Sequence, residues 1–491
     1  MMNNHAITKE AFGSLFEPQV SEALSSFVAR NAVRLDAGAY SAGSLAMQNF
    51  INVNDRPTIE LSKIANIFGF GPFKRTYIED SKKGIPLLTS AEIMELDPDP
   101  KVMAKVDNPN WPQYQIKQRS ILVSCSGTIG NIALVPKKWD SWGVSQDAIR
   151  VIPQGGCLGF IYSFLRLPWM KDAIVGKKSG SVIDHIYEDD LKRLVVPLPS
   201  EACIQELESK INQVLNLREE SDELLAQANT MIHEVNGLSE LQRDKVDQYD
   251  PEGAIEAIIV SSTEVFHNNH AGSEYRLDAH YYNPLAELAI KNIRQCKSEV
   301  KTIDDVTKMV FMCGRFKRNY VDKEYGVPFL SGKNIIQIRP SDLKYISLTE
   351  TSDINDLKLE ATWTLITRSG TIGRTCFVWK NYENYAATEH IIRIVPNEEE
   401  IDPGCLYAFL SSSYGKQQVL RFRHGSVIDE VTAKQIKKVI IPLPSESEQK
   451  EIGDLVRAAY EKLAEAIRLE DEAQKILMDA LTNNSAATAD I

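Results

Sequence analysis

Ser126-Gly127-Thr128-Ile129-Gly130 returns letter for letter as Ser369-Gly370-Thr371-Ile372-Gly373, a displacement of 369 − 126 = 243 residues. The surroundings return with it. Upstream, Phe73-Lys74-Arg75 and Tyr77 are answered by Phe316-Lys317-Arg318 and Tyr320, and Gly84-Ile85-Pro86-Leu87-Leu88 by Gly326-Val327-Pro328-Phe329-Leu330. Further back, Arg34-Leu35-Asp36-Ala37 matches Arg276-Leu277-Asp278-Ala279. Downstream, Gly180-Ser181-Val182-Ile183-Asp184 matches Gly425-Ser426-Val427-Ile428-Asp429, and Pro197-Leu198-Pro199-Ser200-Glu201 matches Pro442-Leu443-Pro444-Ser445-Glu446. Order is kept and the offset drifts only from 242 to 245, so the indels are small. A period near half of the 491 residues is too long for a solenoid and right for a domain. The chain is therefore a tandem duplication of a whole module, which implies pseudo-twofold symmetry and two similar binding events.

A hydrophobic fraction of 43% and a charged fraction of 25% are those of an ordinary soluble globular protein. The net charge of −12 weighs against nucleic acid as a partner, although a local basic face can sit on an acidic body. Part of the acidity is concentrated at 237–275, where eight carboxylates face two basic residues. Seven cysteines without a Cys-x-x-Cys pair argue against a zinc site or a disulfide framework. Cys157 and Cys405, each within Gly-Cys-Leu, read as small buried apolar side chains. The start lacks a basic stretch followed by an apolar run, and no window approaches a membrane span, so the cytoplasm is expected and a membrane is not.

Residues 1–33 read as an N-terminal helical segment. From 34 to 199, and again from 276 to 444, short β-rich runs punctuated by glycine and proline predict two similar mixed domains, an α+β class overall. Ile121-Leu122-Val123-Ser124, the Ser-Gly-Thr-Ile-Gly turn and Asn131-Ile132-Ala133-Leu134-Val135 read as strand, tight turn and strand. The glycines supply backbone angles that other residues resist. Thr364–Thr367 and Arg374–Val378 repeat the arrangement, and Ile149–Pro153 and Ile392–Pro396 are a further mirrored strand. Each is followed by one helical segment, 160–175 and 406–422, with a basic end.

After Pro-Leu-Pro-Ser-Glu the character changes. Ser200 and Ser445 are expected N-caps of long helices at 200–236 and 445–480. Ile204, Leu207, Ile211, Val214, Leu225, Ala228, Ile232 and Val235 fall on one three-four register, broken by Arg218 and Ser221. Ile452, Val456, Ala459, Leu463, Ala466, Ala473 and Leu477 do the same, broken by Glu470. Either each helix packs on its own domain or the two form a coiled-coil seam, a rod of roughly 50 Å. The equivalent placement of both favours the seam. Residues 237–275 then form an acidic connector and 481–491 a disordered tail.

The order now assembled, a β-rich module, a Ser-Gly-Thr-Ile-Gly turn, a Pro-Leu-Pro exit and a long helix, all twice, resembles the specificity subunit of Type I restriction-modification systems. The likeness covers roughly 34–235 and 276–480. It implies two target recognition domains that read double-stranded DNA in the major groove, held apart by an antiparallel two-helix coiled coil. It further implies a bipartite, asymmetric DNA site, two docked methyltransferase subunits, and motor-nuclease subunits where restriction occurs. Chain length and the acidic connector depart from the family pattern.

Lys74-Arg75 and Lys317-Arg318 are candidates for phosphate contact, or else solvated surface pairs. The divergent Thr89-Ser90 and Ser331-Gly332-Lys333-Asn334 are candidate readers, Lys333 of guanine and Asn334 of adenine. Ser126, Thr128, Ser369 and Thr371 in the two turns could meet a phosphate, or the turns are purely structural hairpins. Asn131 is answered by Arg374, a further candidate. Lys177, Lys178, Arg421 and Arg423 flank the Gly-Ser-Val-Ile-Asp loops at the expected DNA face.

Catalytic signatures are missing from the sequence. There is no Gly-x-x-x-x-Gly-Lys-Ser/Thr loop, no Asn/Asp-Pro-Pro-Tyr/Phe tetrapeptide and no His-Glu-x-x-His. The Glu-x-Lys tripeptides Glu208-Ser209-Lys210 and Glu448-Gln449-Lys450 hint at a nuclease core but read more simply as exposed helix faces. No cofactor and no metal are expected. A non-catalytic DNA-binding subunit is the leading expectation; a protein-interaction scaffold without sequence reading is the competing class.

Overall fold

The computed structural model describes residues 57–78, 81–178, 184–241, 278, 280–380 and 382–482. The helix expected at 1–33, the 34–37 match and the connector from 242 to 275 lie outside them. The two domains are built on one plan. In the first, an antiparallel sheet has the spatial order Ala65–Phe68, Ala148–Pro153, Ile121–Ser124, Ile132–Leu134. A second sheet runs Tyr77–Ile78, Lys101–Ala104, Gly84–Leu88, Gly143–Val144, its last pair parallel. A two-stranded ribbon, Thr58–Glu60 with Val195–Pro197, ties the beginning of the domain to its end. The second domain repeats each piece. Thr307–Phe311, Ile391–Pro396, Thr364–Thr367 and Thr375–Phe377 form one sheet, and Tyr320–Val321, Lys344–Ser347, Gly326–Leu330 and Ala386–Ala387 the other. Glu299–Thr302 with Ile440–Leu443 is its ribbon. Ahead of this lies a helix, Pro284–Arg294, with Asn283 as cap; the positions that answer to it in the first domain are outside the described residues.

Repetition reaches the core. The arginine of the mirrored Ile-Arg strand is buried in both copies, Arg150 at 2% and Arg393 at 0% exposure. Neither has a carboxylate partner among the ion pairs of the described residues. Arg150 donates to the carbonyls of Tyr114 (2.7 Å) and Val144 (3.2 Å), and Arg393 to those of Ala387 (2.6 Å) and Ile391 (3.1 Å). Each guanidinium thus staples one sheet to the other by satisfying backbone acceptors that a buried loop would otherwise leave open. Burial alone pushes the Arg150 guanidinium down to about 10.

The single helical segment expected after the mirrored strand is two helices in each domain. Pro168 and the Ser412 cap start a new helix at Pro168–Val175 and Ser413–Arg421. The first members, Leu158–Leu165 and Pro403–Ser411, dock on the rods. A Cβ on Gly159 would lie 2.2 Å from the Leu207 carbonyl oxygen, and one on Gly404 would lie 2.7 Å from Gly453 Cα, so both glycines permit backbone contact. These glycines are the true counterparts, and the Gly-Cys-Leu match is a coincidence of letters. Cys157 is a half-buried N-cap residue, whereas Cys405 lies inside its helix and is fully buried.

The long helices span Glu201–Asn236 and Glu446–Thr482. Ser200 Oγ accepts from Cys203 N, and Ser445 forms a reciprocal cap with Glu448. Gly237, at φ 67°, closes the first helix in the left-handed conformation. The second runs two residues past its expected end, burying Leu481. Partners along the seam run in opposite senses, Lys210 with Glu472 and Glu220 with Lys462, so the pair is antiparallel. Leu207, Ile211 and Val214 pack with Ala473, Leu477 and Leu481 at one end, and Ala228 and Ile232 with Ile452, Val456 and Leu463 at the other. The apparent breaks in the register are inside the seam: Arg218, Ser221 and Glu470 are buried, while Ile204, Leu225 and Val235 are only half-buried. Among the described residues no helix is long and apolar enough to cross a membrane.

Candidate nucleic-acid interface

In each domain the same four stretches converge at one end of the sheets. The first is the Phe-Lys-Arg loop. Arg75 donates to Gln146 and lies 3.5 Å from Asp147, and its counterpart Arg318 holds Glu389 through two hydrogen bonds of 2.8 and 2.7 Å. The second is the glycine turn, with Gly127 and Gly130 at φ 68° and 82°, and Gly370 and Gly373 at 74° and 80°. The third is the triplet ahead of the mirrored strand, and it is where the copies differ. Ser126 Oγ donates to Asp147 at 2.7 Å, whereas Ser369 Oγ lies 2.9 Å from His390 Nδ1. The fourth closes the end: Ser126 bridges His185, and Ser369 bridges Glu430, whose carboxylate also pairs with Arg368 at 2.5 Å. Glu389 is buried, which would raise its carboxyl, but backbone hydrogen bonding and Arg318 outweigh this and hold it below the usual range. Two exposed tyrosines flank the ends, Tyr77 under Lys101 and Tyr320 under Lys344, at 5.3 and 4.7 Å from nitrogen to ring centre.

The residues expected to touch DNA divide into three groups. Lys74, Thr128, Lys317, Lys333 and Thr371 are exposed at or beside these ends. Arg75, Arg318, Ser126 and Ser369 sit in the convergence zone but are held by neighbouring side chains. The third group makes its contacts within the chain. Asn334 is buried, its Oδ1 accepting from Ser331 N and Oγ and its Nδ2 donating to Ser341 O. Its oxygen is taken by a capping box, one of its two amide N–H groups is taken by a backbone carbonyl, and 5% of the residue is exposed. Thr89 makes the matching cap with Glu92, Thr89 N to Oε2 at 2.7 Å, with Ser90 half-buried beside it. Arg421 is buried, paired with Glu287 at 2.7 Å and stacked on Tyr281. Arg423 lies 2.7 Å from His280 Nδ1, and Lys178 pairs with Asp184 at 2.6 Å, with Lys177 half-buried next to it. Arg374 leaves its own domain altogether and pairs with Glu95 of the first at 2.9 Å.

The Gly425–Asp429 loop is closed at its base by His424 and Glu430, which exchange both backbone hydrogen bonds at 3.0 and 2.7 Å. Its tip presents Val427 and Ile428, 93% and 61% exposed. The Glu-x-Lys tripeptides are structural. Glu208 accepts from Gly159 N at 2.7 Å, fastening the first docking helix to the rod, and Glu448 is a cap. Gln146, Asp147, Glu389 and His390 were missed in the sequence. Their signal was a divergent triplet, Ser-Gln-Asp against Thr-Glu-His, directly ahead of a well-matched strand.

Fold and site together define a duplicated module with two loop-built ends, each docked on a shared two-helix rod. The chain belongs to the Type I restriction modification DNA specificity domain family, whose model matches twice, at residues 58–220 and 296–471. It is 26% identical over 167 residues to the Type I restriction enzyme EcoBI specificity subunit of Escherichia coli; the match covers 33% of this chain and 34% of that protein. The chain thus spans about a third of the curated relative it matches. Among solved structures it is similar to the Type I restriction-modification S subunit from M. genitalium, at 12% identity and TM-score 0.33, covering 88% of this chain and 96% of that one. It is also similar to the HsdS subunit from Thermoanaerobacter tengcongensis, at 14% identity and TM-score 0.28, covering 87% and 96%.

Proposed function

We propose that this chain reads a bipartite, asymmetric site on double-stranded DNA, one half-site per domain, and has no catalytic activity of its own. It positions two subunits of an adenine-N6 DNA methyltransferase and, where restriction occurs, motor-nuclease subunits, in the cytoplasm. The observation that carries the reading is the pair of matched ends: one scaffold with different polar groups, Gln146 and Asp147 in one and Glu389 and His390 in the other. A common frame that offers different donors and acceptors is what two different half-sites require. Exposed Lys74 and Lys317 supply phosphate contact at equivalent places, which sets register without reading sequence. Linking two readers raises the effective concentration at the second half-site once the first is bound.

Selection from random duplexes by the chain together with its methyltransferase partner tests this. Enrichment of two separated half-sites, with an affinity that falls as salt rises, is expected. Binding without sequence enrichment or salt dependence would leave a protein-interaction scaffold. Methylome sequencing of a host carrying both genes gives motif and gap together.

A further inference from the structure

The two domains touch each other directly, and the contact is built about the pseudo-twofold axis. Glu95 forms an antiparallel bridge with Gln337, its own counterpart at an offset of 242. Leu96 N donates to Ile336 O at 2.9 Å, and Ile338 N to Met94 O at 3.1 Å. Lys171 pairs with Asp342, and Lys416 with Asp99. The two lysines are counterparts on the second helix of each pair and the two aspartates are counterparts after each cap, so this is one contact made twice.

A third pair has no twin. Arg374 binds the Glu95 carboxylate at 2.9 Å and also donates to the Asp97 carbonyl. The counterparts of Arg374 and Glu95 are Asn131 and Gln337, both neutral. Both partners of the off-axis pair therefore differ from their counterparts together, in the sense that makes them attract. Cavities of about 320 and 550 Å³ separate this clasp from the rods on its two sides. Two struts tie it to them: Lys138 joins the Leu96 carbonyl to Asp222, and Arg339 pairs with Asp471.

We propose that the clasp is a second ruler: Glu95, Arg374 and the two Lys–Asp pairs fix the spacing and mutual orientation of the half-sites, which the rod alone does not. This rests on the reading that each domain takes one half-site. Each domain meets the rods through its docking helix and a few further contacts, such as Arg119 with Glu208 in the first domain and Trp379 with Glu461 in the second, and a domain held only against the rods can rock about that attachment. Joining the two domains at a second point closes the frame, and a closed frame resists rocking. The joint is also placed where it matters, because Arg374 directly follows Gly373 of the second domain's glycine turn. That turn cannot shift relative to the first domain without breaking the Glu95 pair. The Glu95 and Arg374 side chains are 11% and 13% exposed, whereas Asp99 is 67% exposed, so the central pair is the one shielded from water and salt.

The test uses the full chain with its methyltransferase partner and duplexes carrying its two selected half-sites, the gap varied one base pair at a time. The wild-type protein should prefer one gap by about tenfold over its neighbours. Arg374→Ala with Lys171→Ala and Lys416→Ala should flatten that preference to about threefold or less while single half-sites bind as before. The exchange Glu95→Arg with Arg374→Glu should keep the preference sharp, which controls for misfolding of the alanine variant. An alanine variant that binds single half-sites and keeps the wild-type gap preference overturns the proposal. So does a sharp preference lost equally in the exchange variant. Wild-type protein that selects no half-sites at all defeats the DNA reading itself.

Discussion

Arg218 on the central rod helix and Glu470 on the C-terminal one meet inside the seam at 2.5 Å, each at a position where its own helix breaks the apolar register. Arg166 of the first domain joins the same carboxylate at 2.6 Å and Tyr162 donates to it at 2.8 Å, so rod and domain share one buried charge cluster. Burial would raise the Glu470 carboxyl, but Arg166 and Arg218 overcome it and hold it at about 2.

A carboxyl whose folded pKa is depressed stabilises the fold above its ordinary value and loses that contribution as pH falls through the folded one. From an ordinary value of 4.5 down to about 2, the contribution that disappears is roughly 3 kcal/mol. Unfolding midpoints in denaturant should therefore drop between these pH values in the wild type and stay flatter in Glu470→Gln. At neutral pH Glu470→Gln should cost about 3–5 kcal/mol, because two guanidinium groups are left buried without a counter-charge. Arg218→Met with Glu470→Leu and Arg166→Met should recover most of that loss. A neutral-pH stability equal to wild type in Glu470→Gln would remove the cluster from the account.

Gly404 and Gly453 provide a second check, on how a domain is mounted. A Cβ on either would collide with the other element, at 2.7 Å from Gly453 Cα or 1.9 Å from the Asp402 carboxylate, and Asp402 is also held by Arg457. Gly404→Ala should cost more than about 2 kcal/mol, as overpacking against rigid backbone does. Gly370→Ala meets nothing within 4 Å and should cost only about 1 kcal/mol, for its positive φ. Thermal unfolding of the two variants side by side reads the difference. Equal losses would mean that docking-helix contact with the rod is not close.

The duplication was legible because matched segments are those the scaffold needs: turn glycines, sheet strands, the Pro-Leu-Pro exit and the rods. The seam was legible as a period but not in its exceptions, since Arg218 and Glu470 look like surface residues until an antiparallel partner is supplied. The clasp was illegible for a related reason. Glu95 and Arg374 lie in loops that diverge between the copies, and no local pattern says that two loops meet across an axis. The structural role of Asn334 was hard to read because an exposed-looking Ser-Gly-Lys-Asn also spells a capping box, in which the Ser331 backbone takes the side-chain oxygen.

At the loop tip, Val427 and Ile428 should be dispensable for folding and needed for binding. Both are exposed, so Val427→Ser with Ile428→Ser removes little buried apolar area and should shift stability by less than about 0.5 kcal/mol. Against a duplex, an apolar tip packs on thymine methyl groups or wedges between base steps. Affinity for the second half-site should fall several-fold with the first unaffected. Unchanged affinity would place this loop away from the DNA.

Lys317 and Glu389 should act in opposite directions, and together they test whether the convergent ends face DNA. Lys317→Ala removes an exposed cation, so binding should weaken about equally on all sequences and the salt slope should fall by about 1. Lys74→Ala should do the same in the first domain. Glu389→Gln removes a negative charge from the same end and loosens the two hydrogen bonds that restrain Arg318. The guanidinium then becomes available to phosphate, so nonspecific affinity should rise and the salt slope steepen by about 1. Because Glu389 also differs from its counterpart Gln146, sequence preference should change in the second half-site only. If both substitutions lower affinity, or neither alters the salt slope, the four-loop ends are scaffold and the reading surface lies elsewhere on the domains.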